Sequence, residues 1–143
     1  MEYRFYGFGN YYLSSLQQGL QAGHCVGELF TQHVEDKNKS ATVYDWATNH
    51  KTMVLLNGGN SNSLQELYNF FNQLKEASMD LPFVKFHEDE ASLGGALTYV
   101  GIIVPSFVYD LAAVSRGQIM EPGQKFSWDK QLAYKLNEFR LAN

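Results

Sequence analysis

The fold class follows from one segment, KTMVLLNGGN at residues 51–60. Its first six residues, KTMVLL, contain a continuous apolar run of the kind that forms a buried central strand. Gly58 and Gly59 then turn the chain, and Ser63 with Glu66 predicts a capping box at the start of a helix. That helix carries an apolar stripe of Leu64, Leu67, Tyr68, Phe71 and Leu74. A buried strand followed at once by an amphipathic helix is typical of an α/β domain.

The sequence before this segment predicts one strand and two helices. The strand is aromatic, covers residues 3–12 and is kinked by Gly7 and Gly9. The first helix starts at Ser14 or Ser15 and ends near residues 35–39. A short second helix covers residues 41–49; Ser40 is its predicted cap, and its predicted inward residues are Val43, Trp46 and Ala47.

After the segment, two more strands and two more helices are predicted. The strands cover residues 82–86 and 96–104. A helix starts at Pro105 or Ser106 and stops at Gly117, and a last amphipathic helix begins after Ser127, beyond a turn at residues 121–123. This order predicts a small three-layer α/β domain, with a four-stranded mixed sheet and helices on both faces.

The first helix carries an unusual number of glycines. Leu16, Leu20, Gly23, Gly27, Phe30 and Val34 recur on it at helical spacing, and Gly19 adds a third glycine four residues before Gly23. Each glycine costs roughly 1 kcal/mol of helix propensity relative to alanine. Close packing of this helix on its own sheet is the simplest explanation, and a dimer seam or a ligand-binding face are the alternatives.

The amino-acid composition excludes several classes of protein. The 143 residues fit one domain, and a hydrophobic content of 45 % excludes a wholly disordered chain. Eleven Lys and Arg stand against fifteen Asp and Glu, a net charge of −4 that supplies no whole-chain basic surface for nucleic acid. The single cysteine, Cys25, excludes an intramolecular disulfide and favours a reducing, cytoplasmic location. No signal peptide or membrane-spanning stretch is visible in the sequence, so no membrane partner is expected.

Two strand-to-helix junctions are candidate binding loops. If the first two strands are parallel, the junctions at residues 11–18 and 57–63 lie along one edge of the sheet, where ligands of open α/β sheets bind. Free N–H groups and the helix dipole attract anions such as phosphate there. A plain turn at Gly58-Gly59 is the alternative. The residues expected to bind ligand are Ser14, Ser15, Gln17, Gln21, Asn57, Gly58, Gly59 and Asn60.

The remaining polar candidates give a weaker signal. His24 lies in the first helix and is either a structural histidine or an acid/base group. Glu88 and Asp89 follow a strand, where they either belong to a solvated loop or supply a base at the edge of the sheet. Thr98 places a hydroxyl in an apolar strand, and that hydroxyl needs a hydrogen-bond partner. No histidine, cysteine or carboxylate spacing matches a metal site, and no nucleotide-binding or nucleophile motif occurs, so no metal or cofactor is expected.

Three segments resemble the type 2 peptidyl-tRNA hydrolase superfamily. Residues 21–26, QAGHCV, are similar to that family's Gln-x-x-His-Ala stretch. Residues 51–56 resemble its second strand, and residues 97–105, LTYVGIIVP, are similar to its closing Thr-x-Leu-Ala-Ile-Gly-Pro strand. The order of elements agrees over residues 1–115. The resemblance therefore implies a single domain, 1–143, with a hydrolase-like core at 1–115 and a C-terminal helical extension at 116–143. The chain also resembles small bacteriophage proteins in overall style.

The resemblance also implies site residues. In that family a lysine just ahead of the Gln-x-x-His stretch helps catalysis, and Gln17 stands at the matching position. A neutral amide cannot supply a cation to an oxyanion or a phosphate. The family's loop aspartate corresponds to Glu88 or Asp89, and its final-strand threonine to Thr98. A pocket without the complete hydrolytic apparatus is therefore expected, which leaves open whether the chain is an enzyme.

Three functions follow from these observations. The first is non-catalytic binding of a small nucleotide-like or phosphate-bearing ligand by a homodimer, which in a phage would sequester a host signalling nucleotide. The second is hydrolysis of a peptidyl- or aminoacyl-tRNA ester, with Glu88, Asp89 or His24 activating water and Thr98 steadying the oxyanion; the net charge disfavours tRNA. The third is a protein–protein adaptor whose aromatic anchors come from Tyr11, Tyr12, Trp46, Tyr109, Trp128 and Tyr134.

Overall fold

The chain folds as a small α/β domain built on a four-stranded mixed sheet. The computed structural model describes residues 1–88, 95–118 and 126–142, and within them it contains four strands and five helices. Their order is β1 (Tyr3–Asn10), α1 (Ser15–Gln32), α2 (Lys37–Asp45), β2 (Met53–Gly59), α3 (Ser61–Glu76), β3 (Phe83–His87), β4 (Leu97–Pro105), α4 (Ser106–Val114) and α5 (Trp128–Leu136). One π-helical turn, Trp46–His50, follows α2.

The strands lie in the order β2-β1-β4-β3. β1 pairs with β2 in parallel, with Phe8 opposite Leu56, and with β4 antiparallel, with Gly7 opposite Gly101. β3 completes the sheet antiparallel to β4. Because β1 and β2 are parallel, α1 and α3 begin at the same edge of the sheet, as predicted.

The prediction that residues 51–56 form a central strand is wrong, because β2 lies at the side of the sheet. Its apolar run is nevertheless covered by the C-terminal residues. The amide of Asn57 donates to the carbonyl of Arg140 at 2.9 Å, and the amide of Ala142 donates to the carbonyl of Leu55 at 2.9 Å. Leu56 and Leu141 form an antiparallel bridge between these two bonds. A short return of the chain therefore takes the place that a fifth strand would occupy.

Alternate residues of β1 supply two separate core layers. Phe5 packs with α1, α2 and the odd-numbered residues of β4, in a layer that includes Cys25, Leu29 and Trp46. Phe8 packs on the opposite face with Phe71 of α3. The same second layer takes in α4 and α5 through Val108, Tyr109, Ala112, Leu132, Ala133 and Leu136. The sheet is therefore covered by helices on both faces, and α5 packs into one of the two layers.

The face of α1 that packs on the sheet is not the predicted one. Its buried residues are Gln18, Gln21, Ala22, Cys25 and Leu29. The stripe of Leu16, Leu20, Gly23, Gly27, Phe30 and Val34 faces away from the sheet, and among the described residues no atom lies within 4 Å of a Cβ built at Gly19, Gly23 or Gly27. Close packing of the helix glycines on the sheet is therefore contradicted.

The glycines that permit close packing lie in the sheet instead. Gly7 of β1 and Gly101 of β4 face each other, and the ring of Phe5 lies over both of them. A Cβ at Gly101 would lie 2.7 Å from Cys25 Sγ and 2.8 Å from Phe5 Cε2, well inside van der Waals contact. The absence of side chains at this pair therefore lets Phe5 and Cys25 lie directly on the backbone of the sheet.

The helix caps differ in part from the predicted ones. Ser14 caps α1 as expected, and Gly117, at φ +86°, lies just after α4 where a stop was predicted. α1 ends at Gln32, before the predicted boundary at residues 35–39. The other two predicted caps are wrong: Asp36, and not Ser40, caps α2, and Asn60 with Ser63, and not Ser63 with Glu66, forms the capping box of α3. The turn predicted at residues 121–123 lies outside the described residues.

Over the described ranges, no helix combines the length and the apolar character that a membrane crossing needs.

Candidate functional site

A cluster of polar side chains lies at the edge of the sheet where β1, β2 and β3 end and β4 begins. We call it the edge cluster and define it by Asn10, Gln18, Gln21, Ser61, Glu88 and Thr98. These residues come from β1, α1, α3, the end of β3 and the start of β4. The parallel pairing of β1 and β2 brings the first turns of α1 and α3 to this edge.

Asn10 connects the strands of the edge cluster. It is 1 % exposed, and its Nδ2 donates to Ser61 Oγ and to the carbonyl of Leu97, both at 3.1 Å. Ser61 Oγ also lies 3.3 Å from that carbonyl. Asn10 therefore ties the end of β1 to the start of α3 and the start of β4.

Gln18 lies beside Asn10 and is 5 % exposed. Its Nε2 donates to the backbone carbonyl of Asn10 at 3.2 Å. The amide group lies over Gly9, where any Cβ would overlap its oxygen. Gly9 therefore provides the space in which this buried amide lies.

Gln21 joins two of the predicted catalytic residues. Its Nε2 donates to Glu88 Oε2 at 2.8 Å, and its Oε1 lies 3.4 Å from the hydroxyl of Thr98. That hydroxyl also lies 3.3 Å from the carbonyl of Phe86. Glu88, Thr98 and Gln21 are thus in one hydrogen-bonded group, and the buried hydroxyl of Thr98 has the acceptors that it needs.

Two acceptors of the edge cluster have no donor among the described residues. They are Asn10 Oδ1 and Gln18 Oε1, and both atoms are buried. A buried acceptor without a hydrogen bond costs about 1–3 kcal/mol. A donor that reached these oxygens would recover that free energy.

At the starts of α1 and α3, capping side chains already accept hydrogen bonds from some of the backbone N–H groups. Fewer N–H groups therefore remain free to bind an anion. Ser14 Oγ accepts from the amide of Gln17, and Gln17 Oε1 accepts from the amide of Ser14 at 2.9 Å. At α3, Asn60 Oδ1 accepts from the amide of Ser63 at 2.8 Å. Gln17 is thus an exposed capping residue. Ser15 opens α1 and is also exposed.

Gly58 and Gly59 were predicted to turn the chain, but they continue β2 to its end, and this end of the strand lines a cavity of its own. Asn57, Gly58, Gly59 and Ser63 line it together with Glu138, Phe139 and Arg140, and its volume is about 320 Å³. Gly59 has φ +82° there, a conformation that favours glycine. The amide of Gly59 donates to Asn57 Oδ1 at 2.9 Å, and its carbonyl accepts from the amide of Tyr11 at 2.7 Å. This end of β2 therefore joins this cavity to the end of β1.

The remaining predicted residues lie apart from these contacts. His24 is exposed, and its ring stacks on Phe86 at 4.9 Å with an angle of 5° between the planes. Asp89 lies outside the described residues. Cys25 is buried, and burial raises the pKa of its thiol far above the ordinary value of 9.0, so it is no nucleophile in this state. Within the described ranges, no three His, Cys, Asp or Glu side chains are grouped to hold a metal ion.

The aromatic residues considered as adaptor anchors divide into two groups. Trp46 and Tyr109 are buried in the two core layers. Tyr11 and Tyr12 are exposed, and their rings contact each other edge to face at 6.1 Å just before α1. Of the six candidates, only this pair is exposed; Trp128 and Tyr134 are partly buried.

Asn10, Gln18, Ser61 and Arg140 are site residues that the sequence analysis missed. Asn10 is a polar residue at the end of an aromatic strand, and this position in the sequence could have identified it as a site residue. Gln18 has no such signal, because it resembles its exposed neighbour Gln17 in every local respect. Arg140 reaches the cavity only through the return of the chain beside β2.

No protein-family model matches the chain, and no curated protein matches it at a significant level.

Proposed function

We propose that this protein binds a small nucleotide-like ligand at the edge cluster, without catalysis, on a fold of the type 2 peptidyl-tRNA hydrolase kind. The observation that supports this most directly is the pair of buried acceptors without donors, Asn10 Oδ1 and Gln18 Oε1. Nucleobases carry amino and imino N–H groups that match such acceptors, and asparagine and glutamine amides are common partners of base edges. The exposed ring pair Tyr11–Tyr12 next to Asn10 offers a surface on which a base stacks.

The cavity beside Gly58-Gly59 is the place for a phosphate. Arg140 lines it and carries the positive charge, Glu138 lines it as well, and glycine lets a ligand approach the backbone closely. It adjoins the edge cluster, because Asn10 pairs with Gly59 across β1 and β2. A base over the edge cluster and a phosphate near Arg140 are thus compatible with one bound nucleotide.

The same arrangement argues against hydrolysis. None of the six side chains of the edge cluster is cationic, and Gln17 is engaged in capping α1. Developing negative charge on an oxyanion would therefore meet no lysine at the position where the family has one. A pocket that retains shape and hydrogen-bonding groups but lacks this charge is suited to holding a ligand intact. In a phage, such a pocket would sequester a host signalling nucleotide.

Binding is tested by calorimetry with nucleosides, nucleotides and cyclic dinucleotides, after native mass spectrometry of the purified protein. We expect Gln18→Met to weaken binding of nucleosides and nucleotides alike by about 10- to 100-fold, the equivalent of one buried hydrogen bond. Arg140→Ala should weaken only the phosphorylated ligands.

Matched controls separate these effects from damage to the fold. Gln32→Met makes the same change at the exposed far end of α1, and Arg116→Ala removes an exposed arginine from a different cavity. Both should bind like the unmodified protein. If no member of the panel binds at millimolar concentration, the proposal is wrong; if Gln18→Met binds as well as Gln32→Met, its placement at the edge cluster is wrong.

A second candidate function is favoured by the contact of Glu88 with Gln21 and of Gln21 with Thr98. This is the one place where a carboxylate and a hydroxyl from the resemblance are joined. A general base there would activate water against an ester.

For the ester hydrolase, we expect any cleavage of aminoacyl-tRNA to fall at least 100-fold in Glu88→Gln, because the amide cannot take up the proton. The measurement is release of the amino acid at micromolar protein. An intact ester under those conditions contradicts the hydrolase, and equal cleavage by Glu88→Gln contradicts this assignment of the base.

A further inference from the structure

The outer face of α1 carries an apolar stripe that nothing covers in the described structure. Leu16, Leu20 and Phe30 of α1 are 75 %, 56 % and 38 % exposed, and Gly23 and Gly27 lie between them. Val34, in the turn just after the helix, is 68 % exposed. The six positions follow one another at spacings of four, three, four, three and four residues. That is the spacing of a coiled-coil seam, so they form a line along which a second helix packs. We call this line the α1 seam.

The α1 seam is symmetric about residue 25. Leu16 and Val34 are each nine residues from that point, Leu20 and Phe30 five, and Gly23 and Gly27 two. A two-fold axis through the middle of the helix would therefore place Leu16 against Val34, Leu20 against Phe30 and Gly23 against Gly27. Large side chains meet at the ends and glycines meet at the centre, where two crossing helices approach most closely. A two-fold interface requires a surface complementary to itself, and this one is.

The residues beside the seam impose no charge repulsion on such a pair. The flanking positions on α1 and in the turn after it are Gln17, Gly19, His24, Val26, Thr31 and His33. None of them carries a fixed charge at neutral pH, whereas helices that choose a different partner use charged residues at these positions. The buried residues of α1 point to the sheet, so the seam is available without unfolding.

A groove lies beside the end of the seam. Val34 lines this groove, of about 530 Å³, together with Lys37, Ala41 and Tyr44. In an antiparallel pair, the groove of one copy lies near the start of α1 in the other.

We infer that the protein forms a two-fold symmetric dimer in which the α1 seams of two copies pack antiparallel, with Gly23 and Gly27 at the crossing. A seam of one helix per copy lies at the small end of specific interfaces, below about 1,200 Å² in total. The dimer should therefore dissociate on dilution through the micromolar range. This inference does not depend on ligand binding, and either can fail without the other.

Analytical ultracentrifugation of the full chain across 1–200 µM tests the dimer. We expect Leu20→Glu to weaken dimerisation at least 100-fold, because each copy places a carboxylate against Phe30 of the other. Val114→Glu introduces the same charge at an exposed apolar residue of α4, away from the seam, and should dimerise normally. A chain that stays monomeric at 200 µM overturns the inference, as does equal weakening by both variants.

A second variant distinguishes a specific, complementary interface from non-specific hydrophobic association. Gly23→Leu adds apolar area but prevents close approach at the crossing, so it should weaken the dimer at least 10-fold. Non-specific association would grow stronger instead. The direction of packing is read from disulfide cross-linking: Leu16→Cys mixed with Val34→Cys should give a cross-linked pair, whereas Leu16→Cys alone should not. Efficient cross-linking of Leu16→Cys to itself contradicts the antiparallel arrangement.

Discussion

Gly101→Ala should lower the free energy of unfolding by about 1–3 kcal/mol, the usual cost of adding a methyl group to a filled core. The new Cβ would lie 2.7 Å from Cys25 Sγ and 2.8 Å from Phe5 Cε2. Neither neighbour can withdraw, because both are fully buried and Phe5 packs against Trp46 on its other side. Urea denaturation followed by tryptophan fluorescence and far-ultraviolet dichroism measures the change.

Gly19→Ala is the matched control for this substitution. It adds the same methyl group to a glycine with open space around it and improves helix propensity, so it should stabilise the protein by up to about 1 kcal/mol. The two alanine variants should therefore move the denaturation midpoint in opposite directions. A stable Gly101→Ala would show that α1 does not lie against the pair of sheet glycines.

Alkaline pH should destabilise the protein strongly, beginning near pH 9. Burial raises the pKa of the Cys25 thiol and of the Tyr99 phenol well above their ordinary values of 9.0 and 10.0. Above those ordinary values the unfolded chain loses protons that the folded chain keeps, so stability falls as pH rises. Each group contributes up to about 1.4 kcal/mol per pH unit, or roughly 4 kcal/mol for the two together by pH 11.

The loss of stability at alkaline pH is measured by determining the free energy of unfolding in urea from pH 7 to pH 11. Cys25→Ala should reduce the slope between pH 9 and pH 10, and Tyr99→Phe the slope above pH 10. Tyr99→Phe also removes a buried hydroxyl that has no partner among the described residues, so its stability at pH 7 should not fall. Burial also raises the pKa of Tyr109, which leaves part of the slope in both variants. A flat profile up to pH 11 would contradict the burial of both groups.

Local patterns were sufficient to predict most of the fold. The apolar run of β2, the stripe of α3 and the stop at Gly117 each specify an element through neighbours close in sequence. The sequence left the parallel pairing of β1 and β2 as a condition, and the structure shows that the pairing is parallel. The position of β2 at the side of the sheet did not follow, because what covers its apolar run is a segment more than 80 residues away.

The orientation of α1 shows why hydrophobicity alone predicted the wrong packing face for this helix. Both of its faces carry apolar residues, and the one that packs on the sheet includes Gln18 and Gln21. Those amides are buried because they bind the carbonyl of Asn10 and the groups around Thr98, contacts that exist only in the folded chain. The same long-range contacts define the edge cluster. Its members Gln21, Glu88 and Thr98 were predicted from their places in the sequence, while Asn10, Gln18 and Ser61 were missed.

The C-terminal return beside β2 has a consequence for how copies of this chain meet at high concentration. The bonds to Arg140 and Ala142 occupy the groups through which β2 would recruit a strand from another molecule. An incoming strand must first displace this segment. Pairing of strands between molecules, the route by which many sheet proteins form fibrils, is therefore obstructed at β2 by residues 140–142 of the same chain.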